Sequence, residues 1–365
     1  MTAPAASGWS VCRLGLASTG ERRLSTAYAN CGLMHQCLHW LQSDGSAAKK
    51  NLMSSRSVKT PLVSVLLLCY RQERFVAEAI DGVLSQTYSP LEIFIFDDCS
   101  PDNTAGVIRR KLAERETRHK VSFTRNCKNM SASATRRLAL NMMSGDIIFL
   151  SHGDDIMHPE MIEEIVREMQ RSGVSLVTAN AEYIDENSRL LNRTFCDPNV
   201  GADDSFERLA RDGSNACCFG ATIGFEREIY DKFGYDTDFL GAYDIIFPFY
   251  AHLLKGARFL NKVLLKYRVH SDNASLSLAW EKSDGPGRLE IEERIYDSHL
   301  AHALLMEEVL LRLQAQEPGR YVSVATKILP LLQIQLAEMA KKLVRTKRQA
   351  YGAKKAAQCC ARQQS

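Results

Sequence analysis

Two acidic pairs, Asp97-Asp98 in LEIFIFDDCSPDN and Asp154-Asp155 in DIIFLSHGDDIMHPE, each close a short apolar run rich in Ile and Phe. Carboxylates gathered in one place repel one another unless a cation or a set of donors sits among them. The chemistry to expect is a divalent cation, Mn²⁺ or Mg²⁺, held together with a polar ligand. An apolar run closed by turn formers reads as a buried parallel strand, and ligands of open α/β sheets bind beyond the carboxyl ends of such strands. Both acid pairs then point into one crevice.

The elements that must position them alternate from residue 61. Residues 62–69 read as a strand, and ERFVAEAIDGVLSQ follows with Phe75, Val76, Ala79, Ile80, Val83 and Leu84 on one helical face. Residues 91–96 form the second strand. Ser100-Pro101-Asp102 looks like an N-cap with proline at the first helical position, opening a helix to about Glu116. A strand at 120–124, a helix at 132–143, a strand at 146–150, a helix from Pro159 to Gly173 and a strand at 174–179 complete the alternation. The expectation is an α/β, Rossmann-like, mostly parallel sheet flanked by helices. Three strand ends converge: Cys69-Tyr70-Arg71, Asp97-Asp98 and His152-Gly153-Asp154-Asp155. Neither GxGxxG nor GxxxxGK[ST] occurs, which counts against a dinucleotide oxidoreductase and a P-loop NTPase, so phosphates must be held another way. A cation bridging carboxylate and diphosphate is the physical alternative.

A chain of 365 residues with 45% hydrophobic content can bury a full core, and a net charge of +3 argues against a nucleic-acid partner for the whole chain. Charge is uneven, however. From Lys341 onward there are eight Lys and Arg and no acid, a composition suited either to solvation or to peripheral contact with anionic lipid. The 11 cysteines are irregularly spaced and do not form a disulfide framework, which fits a reducing cytoplasm. No apolar run nears the roughly 18 residues that span a bilayer. Residues 1–52 have only Glu21 and Asp44 as acids and no sustained period, and read as disordered or as a misassigned start ahead of Met53. Cys31, His35, Cys37 and His39 have zinc-ligand chemistry but match no standard finger spacing. Beyond Gly287, apolar residues recur at helical spacing. Pro318-Gly319 divides them from a second helix through Leu343, and such faces pack on the main domain or on another copy in a homo-oligomer.

PLVSVLLLCYRQERFVAEAIDGVLSQTYSPLEIFIFDDCSPDNT resembles the opening of family 2 glycosyltransferases with the GT-A fold. A strand, a Tyr-led turn, a helix ending in Gln-Thr-Tyr and an Asp-Asp-x-Ser turn follow in that order. The resemblance continues through NMSASATRRLALNMMSGDIIFLSHGDD, GATIGFEREIYDKF and LLKYRVHSDNASL, covering residues 61–278. It implies a nucleotide-sugar-binding half at 61–180, an acceptor half at 181–278, and a helical extension at 279–365. It also implies roles. Asp98 matches the acceptor of a pyrimidine ring N–H, while Asp97 caps its turn. Cys69, Tyr70 and Arg71 line the base pocket, Arg71 replacing a common Asn. Arg136 matches a basic residue near the diphosphate. Asp154 matches the metal carboxylate, Asp155 the acid beside it, and His270 a histidine that reaches the metal or diphosphate. Asp244 matches the second acid of a catalytic pair whose first position is here Tyr243. His152 stands where an acid often stands.

The reading is an inverting, metal-dependent glycosyltransferase of hexosyltransferase type. It would use a nucleoside-diphosphate sugar and a glycan, lipid-linked or protein acceptor, in cell-surface polysaccharide or glycan biosynthesis. Three other classes stay open, one of them a membrane-docked scaffold acting through the basic tail. A catalytically silent nucleotide- or glycan-binding module would keep the crevice without turnover. A sugar-nucleotide nucleotidyltransferase would bring a glycine- and lysine-rich loop near the first strand, where LCYRQERF has no glycine.

Overall fold

The computed structural model describes residues 60–197, 203–213, 218–234, 243–271, 273 and 276–363. The expectations for residues 1–52, with Cys31, His35, Cys37 and His39, lie outside them.

Strand β1 (Val63–Cys69) is buried at every position, as is β2 (Leu91–Asp97). Their unbroken apolar runs follow from burial on both faces, the condition of a parallel sheet covered by helices on each side. Alternate residues feed two cores. Leu66, Leu68, Phe94 and Phe96 enter one, and Val65, Leu67, Ile93 and Ile95 the other. Helix α1 (Val76–Leu84) packs into the second core, as does α2 (Thr104–Glu114) through Val107 and Ile108. After β3 (Lys120–Arg125), helix α3 (Ala132–Met142) returns on the opposite face through Ala139 and Leu140. It leads into β4 (Ile147–His152). A two-residue strand β5 (Ile156–Met157), helix α4 (Met161–Ser172) and β6 (Leu176–Ile184) come next, with Gly173 closing α4 in the left-handed conformation that glycine adopts without penalty.

The second half is more mixed. It comprises β7 (Leu190–Thr194), α5 (Phe206–Asp212), a 3-10 turn (Gly220–Thr222), β8 (Gly224–Glu226), α6 (Arg227–Phe233), α7 (Tyr243–Leu254) and β9 (Ala257–Arg268). The sheet runs β3-β2-β1-β4-β8-β6-β9-β5, with β7 paired to β6. The long ladders β3-β2, β2-β1, β1-β4 and β6-β9 are parallel, and the short pairings made by β5, β7 and β8 are antiparallel. A mostly parallel sheet was expected, and the antiparallel β8 between β4 and β6 was not.

Helix α8 (Leu276–Glu281) precedes α9 (Gly285–Gln316) and α10 (Pro318–Gln363). Met306, Val309, Leu310 and Leu313 of α9 and Tyr321, Ala325, Ile328 and Leu332 of α10 join the core that also takes Phe247 and Phe249 of α7. The apolar faces seen in the sequence are therefore covered by each other and by the sheet domain. The second of these helices runs beyond the expected Leu343, carrying Gly352 within it. Among the described residues no helix is long and apolar enough to cross a membrane.

Candidate functional site

Register alone builds the crevice. Cys69 of β1 is level with Asp97 of β2, and Leu68 with His152 of β4, so the turns after three adjacent strands leave the sheet together. The first two turns are laced to each other. Arg71 N donates to Ser100 Oγ (3.0 Å), Gln72 N to Thr104 Oγ1 (2.8 Å) and Asp98 N to Cys69 O (2.9 Å). Asp97, fully buried, accepts from the backbone N of Ser100 (3.2 Å) and from its hydroxyl, and is paired with Arg125 (3.0 Å). It holds the turn, as its place in the sequence suggested. Ser100 is thereby committed to Asp97 and Arg71 rather than to a helix end. For that reason α2 begins at Thr104 and not at the expected Ser-Pro-Asp cap. The Gln-Thr-Tyr segment is structural too. Gln86 bonds His158 O (2.8 Å) and takes Ile162 N (3.1 Å), fixing the start of α4 against the end of α1.

Asp98 lies in the crevice with one oxygen saturated. Asn126 Nδ2 (2.7 Å), Met130 N (2.9 Å) and Thr135 Oγ1 (3.0 Å) all donate to Oδ1, an arrangement that orients the carboxylate while Oδ2 takes none of these donors. Tyr70 is 42% exposed at the mouth, a flat ring available for stacking. Arg71 has φ 57°, a left-handed conformation that Asn tolerates better than Arg. Cys69 is fully buried; burial first, then Asp97 and Asp154, push its thiol well above the usual range. It shapes the floor with Gly153, where a Cβ would collide with Cys69 Sγ and Gln72 Oε1.

The third turn carries the densest chemistry. Strand β5 pairs with β9 at Lys266 and Leu265, which brings Asp154-Asp155 beside residues 268–270. Asp154 Oδ2 lies 3.1 Å from His270 Nε2. Burial opposes ionisation of Asp154, but the His270 hydrogen bond and the positive charge of His152 and His270 prevail and hold its pKa below the ordinary value. Asp155 goes the other way. Burial and the neighbouring Asp154 charge push it up to about 6. Its Oδ1 accepts from Arg268 N (3.1 Å), and its Oδ2 faces His152 Nδ1 at 3.8 Å. His152 Nε2 is 3.1 Å from Arg136 Nη2, and the Arg136 guanidinium lies 4.6 Å above the Tyr243 ring.

Asp244 enters from the first turn of α7, partly buried, next to the Arg136–Tyr243 stack. Burial raises its pKa, with Arg136 and His152 pulling in the opposite direction. Gly220 lies directly against it, the position of an added Cβ being 3.1 Å from Asp244 Cβ, and Tyr243 donates to Gly220 O (3.0 Å).

One central residue had no signature in the sequence. Arg268 is wholly buried, donating from Nε to Asp154 O (2.9 Å), from Nη1 to Ser188 Oγ (2.9 Å) and Asp185 O (3.3 Å), and from Nη2 to Glu78 Oε2 (3.1 Å). Its guanidinium lies 4.9 Å from the Phe75 ring centre, and the same ring is 4.8 Å from His270. Arg268 and Phe75 thus brace both members of the Asp154–His270 pair. The only sequence hint was a basic residue at the end of a strand two positions before that histidine. His299 and His302 stand apart in α9, where His302 Nδ1 is 2.7 Å from Ser298 O.

Among the described residues no group of three or more His, Cys, Asp or Glu side chains is placed to hold a metal by itself. An oxygen and a nitrogen 3.1 Å apart nevertheless match two adjacent corners of an octahedron, about 3 Å for bonds of ~2.1 Å. Asp154 and His270 fit a cation that takes its remaining ligands from water and phosphate.

Polar residues beyond the carboxyl ends of adjacent parallel strands occupy the place where open α/β sheets bind their ligands. Residues 64–234 match the family described as glycosyl transferase family 2. The chain is 27% identical over 226 residues to an uncharacterized glycosyltransferase of Nostoc sp., covering 61% of this chain and 69% of that one. It is 33% identical over 128 residues to the Escherichia coli UDP-Glc:alpha-D-GlcNAc-diphosphoundecaprenol beta-1,3-glucosyltransferase WfgD, covering 35% of this chain and 48% of that one. Most of the curated relatives are matched over about half of their length or less. Among solved structures, S. aureus TarS 1-349 in complex with UDP-GlcNAc aligns with TM-score 0.49 and 13% identity, over 81% of this chain and 92% of that one.

Proposed function

We propose that the protein transfers a sugar, with inversion and with help from a divalent cation, from a nucleoside-diphosphate sugar to an acceptor hydroxyl. The observation that carries this reading is the Asp154–His270 pair, 3.1 Å apart, in the strand-end crevice that also holds Asp98. Asp98, oriented by three donors on Oδ1, offers Oδ2 to a ring N–H of the base. Tyr70 stacks on the base, and Cys69 and Arg71 shape its pocket. Arg136 lies at the diphosphate side, with His152 fixing its guanidinium. Asp154 and His270 hold the cation, and Asp155 holds their loop to Arg268. When bound, the cation supplies positive charge to the departing diphosphate.

Asp244 acts as general base. It accepts the proton of the acceptor hydroxyl as that oxygen attacks the anomeric carbon on the face opposite the leaving group. Burial raises its pKa, which makes the carboxylate a stronger base than an exposed aspartate. The family match ends at residue 234, so for Asp244 and His270 the support is their position against Arg136, Gly220 and Asp154. The acceptor class we infer is lipid-linked glycan, a reading supported by one relative, WfgD, which is named for a diphosphoundecaprenol acceptor. Assembly of cell-surface polysaccharide at the cytoplasmic side is the corresponding role.

The test is a thermal-shift titration of the full chain with UDP, GDP, CDP and dTDP, each with and without Mn²⁺, repeated on Asp154→Ala. A Mn²⁺-dependent shift for one diphosphate that the variant loses supports the assignment and names the base. Absence of any shift with all four would remove it. A shift without sugar transfer from the corresponding donor would move the reading to a silent binding module.

A further inference from the structure

Residues 341–365 hold 8 of the 46 Lys and Arg and none of the 43 Asp and Glu, which leaves the other 340 residues at −5 (38 cations against 43 acids). Charge is therefore separated along the molecule, and the structure orders most of this basic segment on one helix. Leu343, Thr346 and Ala350 of α10 are buried. Lys347 pairs with Glu293 (3.7 Å) and Lys342 lies 5.9 Å from the Tyr296 ring, so these two cations are turned to α9.

Four other cations face away from α9. Lys341, Arg345, Arg348 and Lys355 recur at helical spacing on one exposed face, and none of them forms an ion pair with a described residue. The same face carries Val344, 49% exposed, and Tyr351, 71% exposed. The stripe is about 21 Å long at 1.5 Å per residue. The pairings 293–347 and 307–333 set the antiparallel register of α9 and α10, which puts Gly285 opposite Lys355 and lets α10 continue past the start of α9.

We infer that this face of α10 is a docking surface for an anionic lipid bilayer. Four unpaired cations in a straight row attract acidic headgroups, and a tyrosine and a valine among them find apolar contact in the headgroup layer. A nucleic-acid backbone would use the cations but offers nothing to Val344 and Tyr351. The acidic remainder of the chain favours the orientation in which only this face meets an anionic surface. The site is independent of the transfer reaction.

The experiment is flotation of the full chain with phosphatidylcholine vesicles and with vesicles of phosphatidylcholine plus phosphatidylglycerol. Two variants accompany it: Lys341→Glu/Arg345→Glu/Arg348→Glu/Lys355→Glu, and Val344→Ser/Tyr351→Ser. The expected result is flotation only with the anionic vesicles, weakened by salt. Each cation near such a surface contributes about 5-fold, so the charge reversal lowers partitioning at least several-hundred-fold. The Ser variant lowers it by a smaller factor. Urea midpoints within error of the parent establish that both variants are folded. Equal partitioning of the parent and the folded charge-reversed variant overturns the inference. So does binding to a DNA duplex without flotation, which would make the partner a nucleic acid, or a concentration-dependent dimer abolished by the charge reversal without flotation, which would make it a second copy.

Discussion

Replacing Arg268 by Met keeps the length of a buried side chain and removes every donor. Asp154 O, which now receives an N–H bond at 2.9 Å from the buried guanidinium, would be left without it, whereas Asp185 O keeps its bond from Ser188 N at 3.1 Å. Each orphaned buried acceptor costs about 1–3 kcal/mol. Glu78, 47% exposed on its side chain, returns to solvent and adds little. Against these losses stands the desolvation penalty that the buried guanidinium no longer incurs. The net expectation is a destabilisation of about 1–3 kcal/mol, read from urea unfolding of Arg268→Met against the parent. Binding supplies a second readout. Groups that brace metal ligands typically change metal affinity about 10–100-fold, so the Mn²⁺ concentration needed for the diphosphate-dependent thermal shift should rise by that factor. Arg268→Lys, which retains one charged donor, should fall between. An unfolding free energy for Arg268→Met within about 0.5 kcal/mol of the parent, the range of ordinary surface changes, would refute the bracing argument.

Asp244→Asn keeps shape and removes the base. Sugar transfer should fall about 100–10,000-fold while the diphosphate thermal shift is unchanged, and a loss confined to KM would assign Asp244 to binding instead. Arg71→Asn relieves a left-handed conformation at φ 57° and should raise the unfolding free energy by about 0.5–1 kcal/mol in a denaturant titration; a lowered midpoint contradicts the strain. His252, stacked on Phe206 at 4.9 Å, has its pKa lowered to about 4, burial being the cause and Asp204 and Glu207 opposing it. The unfolded chain then binds the extra proton first as pH falls, so stability present above pH 6.5 declines toward pH 4, by up to about 3 kcal/mol. His252→Phe should flatten that part of the urea-midpoint profile, and an unchanged slope would assign the loss to other groups.

The strand ends were legible because β1, β2 and β4 are short apolar runs closed by turn residues, and the sheet forms by adding neighbours to those runs. The residues beyond each turn were harder to read. Ser100-Pro101-Asp102 has the residues of a helix cap, yet Ser100 is taken by Asp97 and Arg71 N, contacts that join two separate turns. Arg268 escaped for the same reason. Its bond to Glu78 spans 190 positions, and nothing local marks it. Asp98 and Asp154 stood out as acids closing apolar runs, while the roles expected of them and of His270 came from the resemblance; the geometry adds which oxygen of Asp98 is committed and how far His270 lies from Asp154. Strand β8 was missed because three residues give no period to detect.

His152 illustrates how a departure from a family pattern can be absorbed. An acid at this position would add a third carboxylate to Asp154 and Asp155 and raise the cost of ionising any of them. With histidine, Nε2 sits 3.1 Å from Arg136 Nη2 and Nδ1 faces Asp155 Oδ2 at 3.8 Å, so the ring lies between the guanidinium and the second aspartate. The two adjacent aspartates differ: the His270 bond and the histidine charges outweigh burial and hold Asp154 below the usual range, while burial and the Asp154 charge raise Asp155 to about 6 against the opposing His152. Asp154 beside His270, with Asp155 tied down by the backbone N–H of Arg268, leaves one carboxylate of this pair, fixed in direction, for the proposed cation. Such a ligand suits a cation that must still accept phosphate oxygens, because each further carboxylate in its shell would take a place the diphosphate needs.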